Sequence, residues 1–254
     1  VPASQLIPLS TACLGRWEAD FGINVADGAP APSWAPAQGL ITLADPGGVV
    51  TPPTFRAEDA GDNTPWLDFD GASNGLGKFQ NFAPAYGGTD LTYYLVANSL
   101  IGIGTGNMFL ATLNRNGVVA GVAAGTFGLR AHIGQLSHNA AVLNNAIGAT
   151  SAGGVETAKW TTFVFRVSTI LGRQYAHFWI GSWCRAIDLT ALGGLIWNID
   201  GINLGYNGDG PVFGGNFNRC GIRHLSVYTV AHRDDQVNYM GHYLSRYGQA
   251  ALGA

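Results

Sequence analysis

From Trp66 onward, short apolar runs recur between glycine and asparagine breaks: Trp66–Phe69, Leu91–Ala97, Met108–Leu113, Phe127–Ile133, Trp160–Val167, Tyr175–Ile180 and Ile202–Tyr206. Short runs punctuated by turn residues in this way predict an all-β sandwich. Within Trp160–Val167, period-two alternation puts Phe163, Phe165 and Val167 on one face and Thr162, Val164 and Arg166 on the other. Both faces are apolar or amphipathic, so an inner strand is expected. A helical period of useful length occurs only near the end. There Arg233 to Tyr247 places Val237, Met240, Leu244 and Tyr247 on one stripe, with Asp234 and Asp235 at the positive end and Gly248 as a stop. No repeat of the solenoid or propeller kind is present. The alanine-rich piece Asn139–Ala152 is compatible with a short helix, but Asn144, Asn145 and the flanking glycines favour a strand pair and loops.

Nine of the eleven prolines precede Trp66. Proline cannot donate to a strand ladder, so residues 1–65 are expected to be extended coil and edge-type segments wrapping a core, anchored by Trp17, Trp34 and Phe55. Residues 66–228 then form the sandwich and residues 229–254 the helix and tail of a single domain. A length of 254 residues with 47% hydrophobic side chains is enough for a substantial core of this kind.

Charge is sparse. Charged residues make up 11% of the chain, against roughly 25% in an average domain, and Lys78 and Lys159 are its two lysines. Either neighbouring subunits cover part of the surface, or the composition reflects genomic base bias. A net charge of −3 without any Lys/Arg cluster excludes nucleic acid as an expected partner. The apolar stretches 91–106 and 117–131 are broken by Asn98, Ser99 and glycines, so no membrane helix is read and a soluble chain is expected. The opening Val1-Pro2-Ala3-Ser4-Gln5 has no basic segment leading into an apolar one, which leaves secretion open. Cys13, Cys184 and Cys220 are odd in number, widely spaced and outside any Cys-x-x-Cys pair. They read as small buried hydrophobes of a protein made in a reducing cytoplasm, with one bridge and one free thiol as the alternative.

The order of Trp17-Glu18-Ala19-Asp20, Trp66-Leu67-Asp68-Phe69-Asp70-Gly71, Trp160-Thr161-Thr162-Phe163, Ile222 to Tyr228 and the closing Tyr243-Leu244-Ser245-Arg246-Tyr247-Gly248 resembles the concanavalin A-like, laminin-G-like jelly rolls. The versions found in bacteriophage and bacterial surface proteins are the most similar. The resemblance spans nearly the whole chain through the order and spacing of short motifs. It implies two packed antiparallel sheets and a concave face often used for glycans. In the phage cases it also implies a virion decoration, fibre or tail component, made in the host cytoplasm. Fold alone does not fix function.

Enzymes of this fold that cut β-glucans carry acidic residues at alternating strand positions, so that nucleophile and acid/base flank one glycosidic bond. Here Glu18, Glu58 and Glu156 are the only glutamates, each isolated. The nearest alternating pair, Asp68 and Asp70, shares a strand face opposite Leu67 and Phe69, and its place before a Gly71 turn favours a structural or solvent-facing role. Among six histidines, neither His132 with His138 nor His224 with His232 and His242 has metal or base spacing. No His-Glu-x-x-His, Gly-x-Ser-x-Gly or EF-hand loop occurs, so no catalytic residue, metal or cofactor is expected. Gly102-Ile103-Gly104-Thr105-Gly106 lacks the Lys-Ser/Thr ending and following helix of a phosphate loop.

A sugar site needs an aromatic platform beside amide or carboxylate groups. The loop Tyr206-Asn207-Gly208-Asp209-Gly210 offers both, and Trp183 is expected on a strand next to Phe178-Trp179-Ile180. The same segment also reads as a plain turn, because Asn-Gly and Asp-Gly are strong turn formers. The leading expectation is a non-enzymatic phage virion component docked on other virion proteins or identical subunits, with a host-surface glycan as a further partner. A free glycan-binding module using Trp183, Tyr206, Asn207 and Asp209 is the alternative, and a polysaccharide hydrolase or lyase the third.

Overall fold

A computed structural model describes residues 8–45, 50–59, 62–78, 86–99, 108–115, 118–125, 128–135, 160–180, 183–188, 197–199, 201–209, 212–217 and 219–248. Their strands form two large antiparallel sheets. The first runs in the order Trp183–Asp188, Arg173–Ile180, Thr161–Ile170, Leu91–Ser99, Arg219–Tyr228, Cys13–Glu18 and Gln38–Gly39. Trp66–Asp70 also joins Arg219–Tyr228 and carries Thr54–Arg56 on its far side. The second sheet runs Gly128–Gln135, Val118–Gly125, Met108–Arg115, Gly201–Leu204, Leu76–Lys78, Leu43–Ala44 and Ser33–Trp34. This is the all-β sandwich with one C-terminal helix that the alternation predicts. Asn139–Ala152 lies outside the described residues.

Arg219–Tyr228 organises the first sheet. Leu91–Ser99 pairs along one edge, while the other edge is shared: Cys13–Glu18 takes the half from His224 to Tyr228, and Trp66–Asp70 the half from Arg219 to Ile222. Cys13–Glu18 is therefore an inner strand, a correction to the coil and edge segments expected before Trp66. Its six residues contain no proline, so every ladder donor is intact. The flanking pieces Ser33–Trp34, Gln38–Gly39 and Leu43–Ala44 are two-residue ladders, as the prolines around them dictate.

Between the sheets, Trp17, Leu67, Phe69, Leu95, Phe163, Phe165, Ile222 and Leu225 from the first meet Trp34, Leu43, Leu76, Ile202 and Leu204 from the second. The indoles satisfy their donors locally, Trp17 on the Ile41 carbonyl at 3.0 Å and Trp34 on the Glu18 carbonyl at 2.9 Å. The outer face of the first sheet is also apolar at its centre. There Tyr94, Val96, Val164 and Tyr228 receive Val237, Met240, Tyr243, Leu244 and Tyr247 of the C-terminal segment. Both faces of Thr161–Ile170 are buried over residues 162–168, which is why both faces of its sequence are apolar or amphipathic.

The helix spans Asp234–Leu244 and tightens into a 3-10 turn over Ser245–Tyr247. Gln236 Oε1 accepts from the Arg233 N–H at 2.9 Å, and Asp234 and Asp235 occupy the first turn. Gly248 closes the segment at φ +150°, where a Cβ would lie 2.4 Å from that of Trp160. Leu244 is fully buried, so Leu244→Ala should destabilise the fold by about 2–5 kcal/mol in chemical denaturation, and a neutral result would show the helix to be peripheral.

The central ladder carries one irregularity. The register between Arg219–Tyr228 and Leu91–Ser99 shifts between Ile222 and His224. Such a bulge lets two consecutive side chains share a face. Arg223 and His224 both lie under the helix, while Ile222 and Leu225 remain in the sandwich core.

Candidate functional site

The residues expected to bind a glycan lie on different sheets. Trp183 begins the edge strand of the first sheet, opposite Ile180. Tyr206, Asn207 and Asp209 belong to a strand, not a loop: Tyr206–Asp209 pairs with Val212–Phe217 in a small hairpin beside Met108–Arg115 of the second sheet. The ladder absorbs the backbone of this segment, with a register shift between Asn207 and Gly208, and the chain reverses only after Asp209. No register brings Trp183 and Tyr206 into one sheet.

The paired aspartates serve the fold. Asp68 faces Arg56 at 3.2 Å and Arg219 at 3.9 Å. Asp70 accepts from the N–H groups of Ala72, Ser73 and Asn74 at 2.8–3.0 Å. Burial alone would raise its pKa, but these bonds outweigh that and hold the carboxyl below its usual range. Gly71 makes the turn at φ +74°. The histidines are dispersed: His224 bonds Ser226 at 3.0 Å, His232 bonds Tyr94 at 2.7 Å, and His242 is exposed. Among the described residues no group of three or more His, Cys, Asp or Glu side chains could hold a metal ion. All three cysteines are free; Cys220 is buried as expected, whereas Cys184 is exposed.

Glu18, isolated in sequence, is the centre of a polar cluster between helix and sheet. Its carboxylate accepts from the Tyr243 hydroxyl and faces Arg16 Nε at 3.2 Å, Arg246 Nη2 at 3.3 Å and His224 Nδ1 at 3.8 Å. The Arg246 guanidinium lies 4.2 Å from the Tyr243 ring centroid and 4.5 Å from that of Tyr247, whose hydroxyl donates to Asp20 at 3.1 Å. A carboxylate and a phenol between two guanidiniums have the elements of nucleophilic chemistry. Burial, and then the bond to Glu18, push the Tyr243 phenol up, opposite to what a phenolate nucleophile needs. With Glu18 only 6% exposed, the cluster acts as a clasp that fixes the helix.

A second constellation lies on the same outer face, beyond the helix. The register aligns Arg166 with His177 and Ala186 in one row, and Ser168 with Tyr175 and Asp188 in the next. Arg166 is locked by bonds to Asp234 at 2.6 Å and to the His232 carbonyl at 2.8 Å, and its guanidinium lies 4.9 Å from the Trp179 centroid. His177 stacks on Trp179, 22° from parallel with centroids 5.7 Å apart. Burial, and then the Arg166 charge, lower its pKa to about 4, so the imidazole is neutral at pH 7. Ser168 Oγ, Arg166 Nε and His177 Nδ1 are buried atoms without a hydrogen-bond partner. The signal in the sequence was the alternation Tyr175-x-His177-x-Trp179; the strand was legible, but not which strands and residues lie beside it.

No family model and no curated protein sequence matches this chain. Solved structures do match. The sialidase of Trypanosoma rangeli aligns over 98% of this chain and 35% of its own, with a TM-score of 0.57 and 13% identity. The same sialidase in complex with sialic acid gives a TM-score of 0.59 at 13% identity, over 98% of this chain and 36% of that one. Domain 4 of AbnA, a GH43 extracellular arabinanase from Geobacillus stearothermophilus, in complex with arabinotriose, aligns over 89% of this chain and 96% of its own at a TM-score of 0.49 and 11% identity. The chain thus spans about a third of the length of the sialidases it matches. Likeness at this identity shows the fold, an all-β sandwich. It also overturns the expectation of a phage virion component, since the whole-chain likeness is to sialidases and nothing in it leads to a phage protein.

Proposed function

We propose that this chain is a carbohydrate-binding β-sandwich module without hydrolytic activity of its own. The observation that carries this reading is the likeness of nearly the entire chain to about one third of a sialidase, a carbohydrate-acting protein. Fold likeness at 13% identity does not transfer catalysis, so the non-catalytic part of the reading rests on the carboxylates themselves. Asp68, Asp70 and Glu18 are each engaged by arginines or turn amides.

The test is an oligosaccharide array probed with the purified chain, followed by calorimetry on any hit and an assay for free sugar release. Saturable binding without release is the expected result. Sugar release that is lost in Glu18→Gln would replace a binding function by hydrolysis.

A further inference from the structure

We propose that the sugar docks on the outer face of the first sheet, beyond the C-terminal helix, where Ser168, Tyr175, His177 and Asp188 form a shelf for a neutral pyranose. The proposal rests on the carbohydrate-binding reading and adds to it a place and a ligand class.

Three features of this face point to a ligand. Buried polar atoms in folded proteins nearly always have partners. Here Ser168 Oγ, Arg166 Nε and His177 Nδ1 lack them, all on one face of two adjacent strands, with Ser168 and Arg166 7% and 8% exposed. The dimensions also fit. Neighbouring strands are about 4.8 Å apart and same-face residues about 6.8 Å apart along a strand, so two rows over two or three strands match the footprint of one sugar ring. Tyr175 is half-buried on the same face and supplies an aromatic ring of the kind that packs on apolar sugar faces, and the small, exposed Ala186 stands opposite His177.

Charge selects the class. A neutral imidazole has one donor and one acceptor nitrogen, the complement of a hydroxyl group. The positive charge of Arg166 is already answered by Asp234, and Arg173 lies 4.0 Å from Asp188, so the shelf holds no uncommitted cation for an anionic sugar. The floor is rigid before any ligand arrives, because Arg166 is held at two points and His177 rests on Trp179. Preorganisation of that kind reduces the entropic cost of binding.

The experiment titrates the isotopically labelled chain with methyl β-galactoside, methyl α-glucoside, N-acetylglucosamine and, as an anionic probe, sialyllactose. Imidazole and indole resonances of His177 and Trp179 provide the readout. Saturating shifts with a neutral probe are expected, with binding at least about tenfold weaker, or about 1.4 kcal/mol, in Tyr175→Ser and in His177→Ala. Tyr175→Ser guards against a folding defect, which unchanged amide spectra would exclude. Undiminished binding in both variants would overturn the location while leaving the module reading intact, most directly if Tyr206→Ala abolished it instead. Selective binding of sialyllactose, lost in Arg173→Ala, would overturn the neutral class. A chain that binds no probe and nothing on the array would overturn both the site and the function.

Discussion

Replacing Arg223 with methionine is expected to lower the unfolding free energy by about 3–5 kcal/mol, the cost of removing one partner from a buried charge cluster. Arg223 is completely buried, yet it makes a forked pair with Asp62 at 2.6 and 2.8 Å and donates to the Tyr247 carbonyl at 2.5 Å. Its guanidinium lies 3.8 Å from the Trp160 ring centroid, and the Trp160 indole donates to Asp59 at 2.6 Å. One side chain thus ties together the central strand, the end of the C-terminal segment and the loop around Asp59 and Asp62. Methionine fills the volume but leaves the Tyr247 carbonyl buried without that donor. Urea denaturation followed by tryptophan fluorescence checks the value. Asp62→Asn should cost less, about 1–3 kcal/mol, since the amide keeps one acceptor for the buried guanidinium and Asp59 remains 3.5 Å from it. Equal losses in the two variants would show that the pair, and not the burial of the arginine, sets the effect.

Mild acid is expected to destabilise the protein by a comparable amount. Burial, reinforced by Arg16 and Arg246, holds His224 well below its ordinary range, while His177 and His232 are lowered to about 4 by burial and then by Arg166. In the unfolded chain all three take up a proton near pH 6.5. Between about pH 6.5 and 4 the unfolded chain therefore binds more protons than the folded one. Their contribution is complete above pH 6.5 and is lost as pH falls. Each histidine that titrates only on unfolding contributes up to about 1.4 kcal/mol per pH unit, with His177 and His232 discounted for their contact with water. Melting temperatures from pH 7.5 to 4.5 should fall steeply below 6.5, and His224→Gln should flatten the curve. A flat profile in the parent protein would show that these imidazoles accept protons without penalty.

How much of this was legible depends on the range of the interaction. The stripe of Val237, Met240, Leu244 and Tyr247 could be read because helical periodicity is local, and each of these residues meets the sheet as the stripe implies. Tyr243 escaped because its role is to reach Glu18, 225 residues away in the chain. The pairing of Arg223 and His224 under the helix was hidden by the bulge, since strict alternation would have sent them to opposite faces. The turn expected over Tyr206–Gly210 was placed too early for a related reason. Asn-Gly and Asp-Gly signal a turn, but only the partner strand Val212–Phe217 fixes where the turn falls. The fold class was carried by patterns within single strands, whereas the candidate site depends on which strands lie side by side.

The shared edge of Arg219–Tyr228 has a kinetic consequence. The strand at the middle of the first sheet is the last strand of the described chain, and it pairs Cys13 with Tyr228. During synthesis, Cys13–Glu18 and Leu91–Ser99 are made well before Arg219–Tyr228, the strand that lies between them in the sheet. Closing loops of that length precedes any reward from the contacts they permit. The first sheet is thus completed only once Arg219–Tyr228 is available, and its early strands, rich in unpaired amides and apolar side chains, depend on being shielded from one another while they wait.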